Sequence, residues 1–347
     1  MNLLKNVPKH NLFHVNNQLR GNNGKITNSC NFTKRVLLID DKGECLVCKC
    51  AMFLPVSVGN ITDFDSLEEV WSNPIAKHLQ QDIDDKKFTY CAVEKCGIAS
   101  TNMIQDHYTL LLNVDESCNL ACPSCRRSAV MHKSGDEFEK RLAQFNHFLR
   151  LLEKFDKPTQ IIISGSGDPF ASHITRPFLT DYKPLPNHKV HIFTNALLLK
   201  KQLRNNPLVD NINIYWVSID AGSKETYEIV RRPGKWENLI ENLDFLKELS
   251  EKTNAMVSLR FVLQNSNYKD LKSFGELCKK YNFNGHVAAL ENWTAWDNFS
   301  DHDVLGNMNH ENHSEAILLL KDFFKEYFNF NITFDNYLRR LIYTIKD

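Results

Sequence analysis

The sequence predicts an α/β protein built on parallel strands, preceded by a small cysteine-rich domain. Three observations predict it. Apolar runs of strand length alternate with stretches of helical periodicity between about residues 110 and 290. Those runs end in small or polar residues, and α/β proteins gather ligands at the C-terminal ends of their strands. Nine of the ten cysteines lie within residues 30–125, ahead of most of the alternation.

Composition narrows the function classes. Forty-two Lys and Arg balance forty-two Asp and Glu, for a formal net charge of zero. No global basic field exists to hold a phosphate backbone, so the expectation is no nucleic-acid partner. No apolar run approaches the roughly 18–20 residues that cross a bilayer, so no membrane partner is expected. The first residues carry no signal-peptide core, and the expected location is the cytoplasm. At 347 residues the chain can bury a large core without disulfides and is long enough for about two domains.

The elements follow in order. Residues 35–44 read as a strand and a tight hairpin turn at Gly43, and 66–81 as a helix. Residues 110–114 read as a strand. Phe138, Leu142, Phe145, Phe148, Leu149 and Leu152 recur at helical spacing and place an amphipathic helix over 136–155. Strands at 160–164, 189–193, 212–220, 255–263 and 286–290 alternate with helices at 235–250 and 268–281. Another helix begins between Ser223 and Thr226, with Arg231 and Arg232 near its end. An arginine there either holds an anion or favours the helix C-terminus, and the second reading is preferred. Residues 315–328 and 332–345 read as two closing helices. The Asn-rich opening, through about residue 29, is expected to be weakly ordered.

The cysteines carry the chemistry. In a reducing compartment clustered thiols bind metal, and soft thiolates favour zinc, copper(I) or iron–sulfur clusters. Cys118, Cys122 and Cys125 are spaced C-x3-C-x2-C on a loop just beyond the strand at 110–114. Three thiolates on a four-iron cubane leave one iron open to a small molecule, as an open zinc site does.

This loop resembles the signature of the radical S-adenosylmethionine (radical SAM) superfamily. The resemblance implies that the open iron binds the methionine part of SAM. One electron then cleaves the sulfonium to a 5′-deoxyadenosyl radical that takes hydrogen from substrate. Downstream motifs extend the likeness. Gly165-Ser166-Gly167-Asp168-Pro169 resembles the family's Gly-Gly-Glu-Pro segment, with Ser166 for the first glycine and Asp168 for the glutamate. The strands ending at Asn195 and at Ser218-Ile219-Asp220 resemble the family's third and fourth strands. The implied SAM-binding residues are Ser166, Gly167, Asp168, Asn195, Ser218 and Asp220. The implied fold is a partial (β/α)6 TIM-like barrel.

Four earlier cysteines complete the pattern. Cys30 and Cys48 flank the hairpin as C-x12-G-x4-C, and Cys91 and Cys96 follow as C-x4-C. The arrangement resembles the SPASM and twitch domains that hold auxiliary [4Fe-4S] clusters, although here it precedes the barrel. It implies one auxiliary cluster on Cys30, Cys48, Cys91 and Cys96. Cys45 and Cys50 stand as substitutes or substrate-facing thiols, and Cys45-x2-Cys48 with Cys91-x4-Cys96 also has zinc spacing. Cys278 reads as a packed small hydrophobe on a helix, and Trp293 as a pocket wall.

The expected organisation is thus an opening segment 1–29, an iron–sulfur accessory domain 30–105, a radical SAM barrel 106–290 and a helical closing segment 291–347. The expected cofactors are a SAM-cleaving [4Fe-4S] cluster, an auxiliary [4Fe-4S] cluster and SAM itself. The expected partners are a one-electron donor such as flavodoxin or ferredoxin and a substrate. A sugar or other small biosynthetic intermediate is preferred as substrate, because no peptide-recognition domain is evident. A peptide-modifying oxidoreductase or epimerase is the alternative within the class. A non-catalytic zinc or iron–sulfur protein is the alternative outside it.

Overall fold

The computed structural model describes residues 27–49, 54–93, 96, 98, 101–164, 167–327 and 329–344. Two expectations, on Cys50 and Ser166, lie outside these residues, as does nearly all of the opening segment. The chain forms two compact, interleaved units.

The first unit holds residues up to 116, with 132–166 and 173–190. It starts with a short helix, α1 (Phe32–Arg35), that leads into β1 (Val36–Ile39). The hairpin then forms as the turn chemistry requires. Asp40 Oδ1 accepts the backbone N–H groups of Lys42 and Glu44 at 2.9 and 2.8 Å, and Gly43 takes φ +79°. A Cβ at Gly43 would stand 2.5 Å from Gln144 Nε2, so glycine is needed for space as well as for conformation. β2 (Glu44–Leu46) returns antiparallel and β3 (Ser57–Asn60) adds antiparallel to it.

The expected helix over 66–81 is two helices, α2 (Leu67–Ser72) and α3 (Pro74–Asp84). Asn73 breaks it: its side chain accepts from Ile75 N and Ala76 N while Pro74 opens the next turn. β4 (Tyr108–Leu112), the long helix α4 (Asp136–Leu152), β5 (Thr159–Ile163) and α5 (Arg176–Thr180) follow. β4 pairs in parallel with β5 on one side and with β1 on the other. The strand order here is β5-β4-β1-β2-β3. The accessory hairpin therefore extends the parallel sheet, which the spacing of the cysteines did not foretell.

β6 (His188–Thr194) begins in the first unit and ends in the second, which holds 117–131, 167–172 and 191–347. There α6 (Leu199–Leu203), β7 (Ile212–Ser218), α7 (Lys224–Val230), α8 (Trp236–Thr253), β8 (Met256–Leu263), α9 (Leu271–Tyr281) and β9 (Asn284–Ala289) follow. β7, β8 and β9 are mutually parallel. One face of these strands, with Tyr215, Val217, Leu259, Phe261 and Val287, is buried.

α10 (His313–Tyr327) closes the chain as expected, but 332–345 is not one helix. Residues Ile332–Phe334 form β10, parallel to β9, and α11 (Asn336–Thr344) follows. The buried-exposed-buried alternation of Ile332, Thr333 and Phe334 has the period of a strand. β4 to β9 are six strands with helices between them, the α/β class with a partial TIM-like barrel. The strand order ends on β3 in the first unit and on β10 in the second, and no described strand closes either edge. No helix among the described residues is long and apolar enough to cross a membrane.

Candidate functional site

The C-x3-C-x2-C loop lies in the second unit. Its backbone is tied down locally: Cys118 N donates to Val130 O at 2.9 Å, and Ala121 N to Arg232 O at 2.8 Å. Cys125 N closes a turn on Cys122 O at 2.9 Å. Cys122 is buried, Cys118 partly so, and Cys125 exposed. Burial, with Asp168 nearby, pushes the Cys118 thiol up to about 11. Burial also raises Cys122, against the pull of Arg231.

Each of the three sulfurs faces nitrogen donors. Cys118 Sγ accepts from Leu120 N at 3.4 Å and from Asn195 Nδ2 at 3.8 Å. Cys122 Sγ accepts from Arg231 Nη1 at 3.7 Å, and Cys125 Sγ from Arg126 Nε at 3.5 Å. A thiol is a weak acceptor and a thiolate a good one. Two guanidinium groups in this set fit sulfurs that carry negative charge on a metal cluster.

The predicted SAM-binding residues divide. Asp168 is buried, and its own chain engages both carboxylate oxygens. Oδ1 accepts from Phe170 N at 3.0 Å; Oδ2 accepts from Thr194 Oγ1 at 2.8 Å and from Asn195 N at 2.7 Å. It acts here as the tie that holds the end of β6 beside the cysteine loop, and Asp168 N donates to Ser117 O at 2.8 Å on that loop. Asn195, so held, reaches Asn119 Oδ1 at 2.9 Å as well as Cys118.

Asp220 is buried with φ +52°, a conformation that Asp adopts more readily than most residues. It accepts from Val262 N at 2.8 Å and pairs with Arg231 Nη2 at 2.6 Å. Arg231 is therefore no mere helix-end charge. It is a largely buried cation between Asp220 and Cys122, which corrects the preferred sequence reading. Only the sequence neighbour Arg232 stands exposed, with its Nε on Ala121 O at 3.2 Å. Ser218 ends β7 half-buried, in register with Arg260 on β8. Gly167 precedes Asp168 at the start of the tie and is half-buried.

The second cysteine set lies in the first unit. Cys30, Cys91 and Cys96 pack against a small core of Ile83, Phe88, Val93 and Ile98. Burial raises the Cys91 thiol, and the charges next in effect are those of Cys48, Cys30, Asp82 and Cys96. The four predicted ligands thus share one neighbourhood. Cys45 does not belong to it: it is fully buried on β2, and its thiol is raised by burial and by Glu44, Asp40 and Asp63. Among the described residues no three His, Cys, Asp or Glu side chains converge tightly enough to cage a single ion. A cubane offers its irons at separate corners and takes thiols set further apart than a single zinc does.

Other expectations resolve simply. Cys278 is fully buried on α9, as a small hydrophobe would be. Trp293 is 65% exposed and is a surface ring, not a pocket wall. Thr194 and Arg231 are the site residues that motif reading passed over. Arg260, in register with Ser218, was legible as the one charged residue of the strand Met256–Leu263.

Two family models match the chain. Residues 112–278 match the family described as the radical SAM superfamily. Residues 30–97 match the SPASM family, described as an iron–sulfur cluster-binding domain. No curated protein matches. Among solved structures, SuiB from Streptococcus suis bound to precursor peptide SuiA is similar at 16% identity and TM-score 0.44, over 82% of this chain and 70% of that one. The structure described as native anSMEcpe with bound AdoMet is similar at 18% identity and TM-score 0.40, over 66% and 63%. A radical SAM methyltransferase from Sphaerobacter thermophilus is similar at 16% and 0.37, over 55% and 58%. At these scores the likeness bears on neither substrate nor reaction.

Proposed function

The chain is a radical SAM enzyme with a SPASM-type domain ahead of its barrel, and from that premise we propose that it reductively cleaves SAM and takes hydrogen from a bound substrate. Its cofactors are two iron–sulfur clusters and SAM. Cys118, Cys122 and Cys125 would hold the cluster that would supply the one-electron cleavage of SAM. The observation that carries the reading is the ring of N–H donors on those three sulfurs.

The chain's own residues prepare the site. Asp168 holds Thr194 and Asn195 against the cysteine loop. Arg231 brings positive charge to Cys122, and Asp220 holds it there. Gly167 and Ser218 line the approach to SAM in this reading, while Asp168 and Asp220 position the lining rather than touch it. Cys30, Cys48, Cys91 and Cys96 hold the auxiliary cluster. The functional division is 30–105 for the accessory domain and 106–290 for the barrel, with 291–347 as the closing segment. A flavodoxin or ferredoxin supplies the electron. The substrate is a small biosynthetic intermediate.

The test is direct. Protein purified without oxygen should carry about eight irons and eight sulfides per chain, as two [4Fe-4S] clusters require. Dithionite and SAM should then yield 5′-deoxyadenosine. Alanine at any one of Cys118, Cys122 and Cys125 should abolish that product. Full product from one such variant, or zinc without sulfide after anaerobic reconstitution, sinks the proposal.

A further inference from the structure

In the second unit Ser218, Arg260, His286 and Thr333 occupy one register row across β7, β8, β9 and β10. Register partners in parallel strands share a face. This is the face opposite the buried one that carries Val217, Leu259 and Val287. Phe193 and Trp216 stack beside the row with centroids 4.2 Å apart, and the Arg260 guanidinium stands 5.5 Å from the Phe193 centroid.

Arg260 is the anomaly in this row. It is partly buried, and burial pulls its pKa below the usual arginine range. Among the described residues its guanidinium makes no hydrogen bond and no ion pair. The nearest acid to act on it, Asp220, is closed on Arg231 at 2.6 Å and on Val262 N at 2.8 Å. His286 adds no second cation. Burial and the Arg260 charge push its pKa down to about 4, and its Nδ1 is engaged with Thr333 Oγ1 at 2.8 Å. A half-buried guanidinium that no acid closes is the donor best shaped for a planar oxyanion.

We infer that Arg260, beside the Phe193–Trp216 wall, is an oxyanion-binding site that anchors an acidic substrate, an organic acid whose carboxylate or phosphate meets the guanidinium. The inference deepens the proposed function by naming the substrate class of the barrel face. Its test reads binding rather than turnover, so it stands or falls separately from SAM cleavage.

The anaerobic holoenzyme is titrated with malonate and with inorganic phosphate while thermal unfolding is followed. Chloride at equal ionic strength is the control. Wild-type protein should show a saturable rise in melting temperature. In Arg260→Gln the apparent dissociation constant should weaken at least about tenfold, as loss of a charge-assisted oxyanion contact implies. Arg260→Lys, which keeps the charge but not the planar fork, should retain only part of the effect. The unliganded Arg260→Gln protein should melt at the wild-type temperature or above it, because it sheds an unpaired cation. A saturable rise that persists in Arg260→Gln overturns the site, and a lower unliganded melting temperature makes Arg260 structural and overturns it too. SAM affinity, measured by equilibrium dialysis, should stay within about twofold in this variant. A tenfold loss would assign the guanidinium to the SAM carboxylate and overturn the substrate claim.

Discussion

Arg231 closes a 2.6 Å ion pair on Asp220 while its other terminal nitrogen lies 3.7 Å from Cys122 Sγ. The pair is largely buried, at 14% and 3% side-chain exposure. Two strand ends depend on it, because Asp220 Oδ1 also accepts Val262 N at 2.8 Å and its carbonyl accepts Asn267 Nδ2 at 2.9 Å. Breaking a buried pair from one side leaves an uncompensated charge and costs about 3–5 kcal/mol. Asp220→Asn and Arg231→Met should each lose about that much in urea unfolding. The double variant should recover part of it. Single variants within about 1 kcal/mol of wild type would show the pair to be solvated and the reading wrong.

The two cysteine neighbourhoods of the accessory region separate cleanly. Cys91 shares its surroundings with Cys30, Cys48 and Cys96, whereas Cys45 is buried near three acids. Cys45→Ala should therefore leave iron at about eight per chain, and Cys91→Ala should lower it to about four. Iron and sulfide analysis checks both. Loss of four irons from Cys45→Ala would transfer the ligand role to Cys45.

How much of this was legible follows from which signals are local. C-x3-C-x2-C is a contiguous pattern, and its position after β4 could be read directly. So could the hairpin, whose Asp40 and Gly43 carry their own turn chemistry. Asp168 is found by motif, but its partners within the chain are not, because nothing in Gly-Asp-Pro says that Thr194 and Asn195 will arrive from β6. Arg231 was judged from its helix alone, and its true neighbours lie 11 and 109 residues away. The β1–β4 pairing was illegible for the same reason: parallel register between distant strands leaves no mark on either strand's pattern.

His188 gives a pH prediction. It is fully buried, with Nδ1 accepting from Tyr182 OH at 2.6 Å and Nε2 donating to Phe155 O at 2.8 Å. Burial holds its pKa below the ordinary 6.5, with the Phe155 carbonyl and then Asp156 pulling weakly the other way. Protons therefore favour the unfolded chain. The stability from neutral His188 is present above about pH 6.5 and is lost as pH falls through the lower folded value. Wild-type stability should fall on acidification from pH 7 to 5 more steeply than that of His188→Gln. Other histidines titrate in both proteins, so the measurement is the difference between the two urea-unfolding curves at each pH. Parallel pH dependences would refute the assignment.

The tie from Asp168 to Cys118 carries the last prediction. Asp168 accepts Asn195 N at 2.7 Å and Thr194 Oγ1 at 2.8 Å, which fixes the end of β6. Asn195 Nδ2 then faces Cys118 Sγ at 3.8 Å and Asn119 Oδ1 at 2.9 Å. N–H donors on a ligating sulfur stabilise the more negative, reduced state of a cluster, and removing one makes the cluster harder to reduce. Asn195→Ala should shift the midpoint potential of the SAM-cleaving cluster in the negative direction while iron content stays at the wild-type value. Thr194→Val should move it in the same direction by less, since it loosens the tie without removing the donor. A redox titration followed by electron paramagnetic resonance resolves both shifts, with the three-cysteine cluster identified by its response to SAM. If Asn195→Ala leaves the potential unchanged, the amide serves Asn119 alone and Asp168 is a purely structural tie.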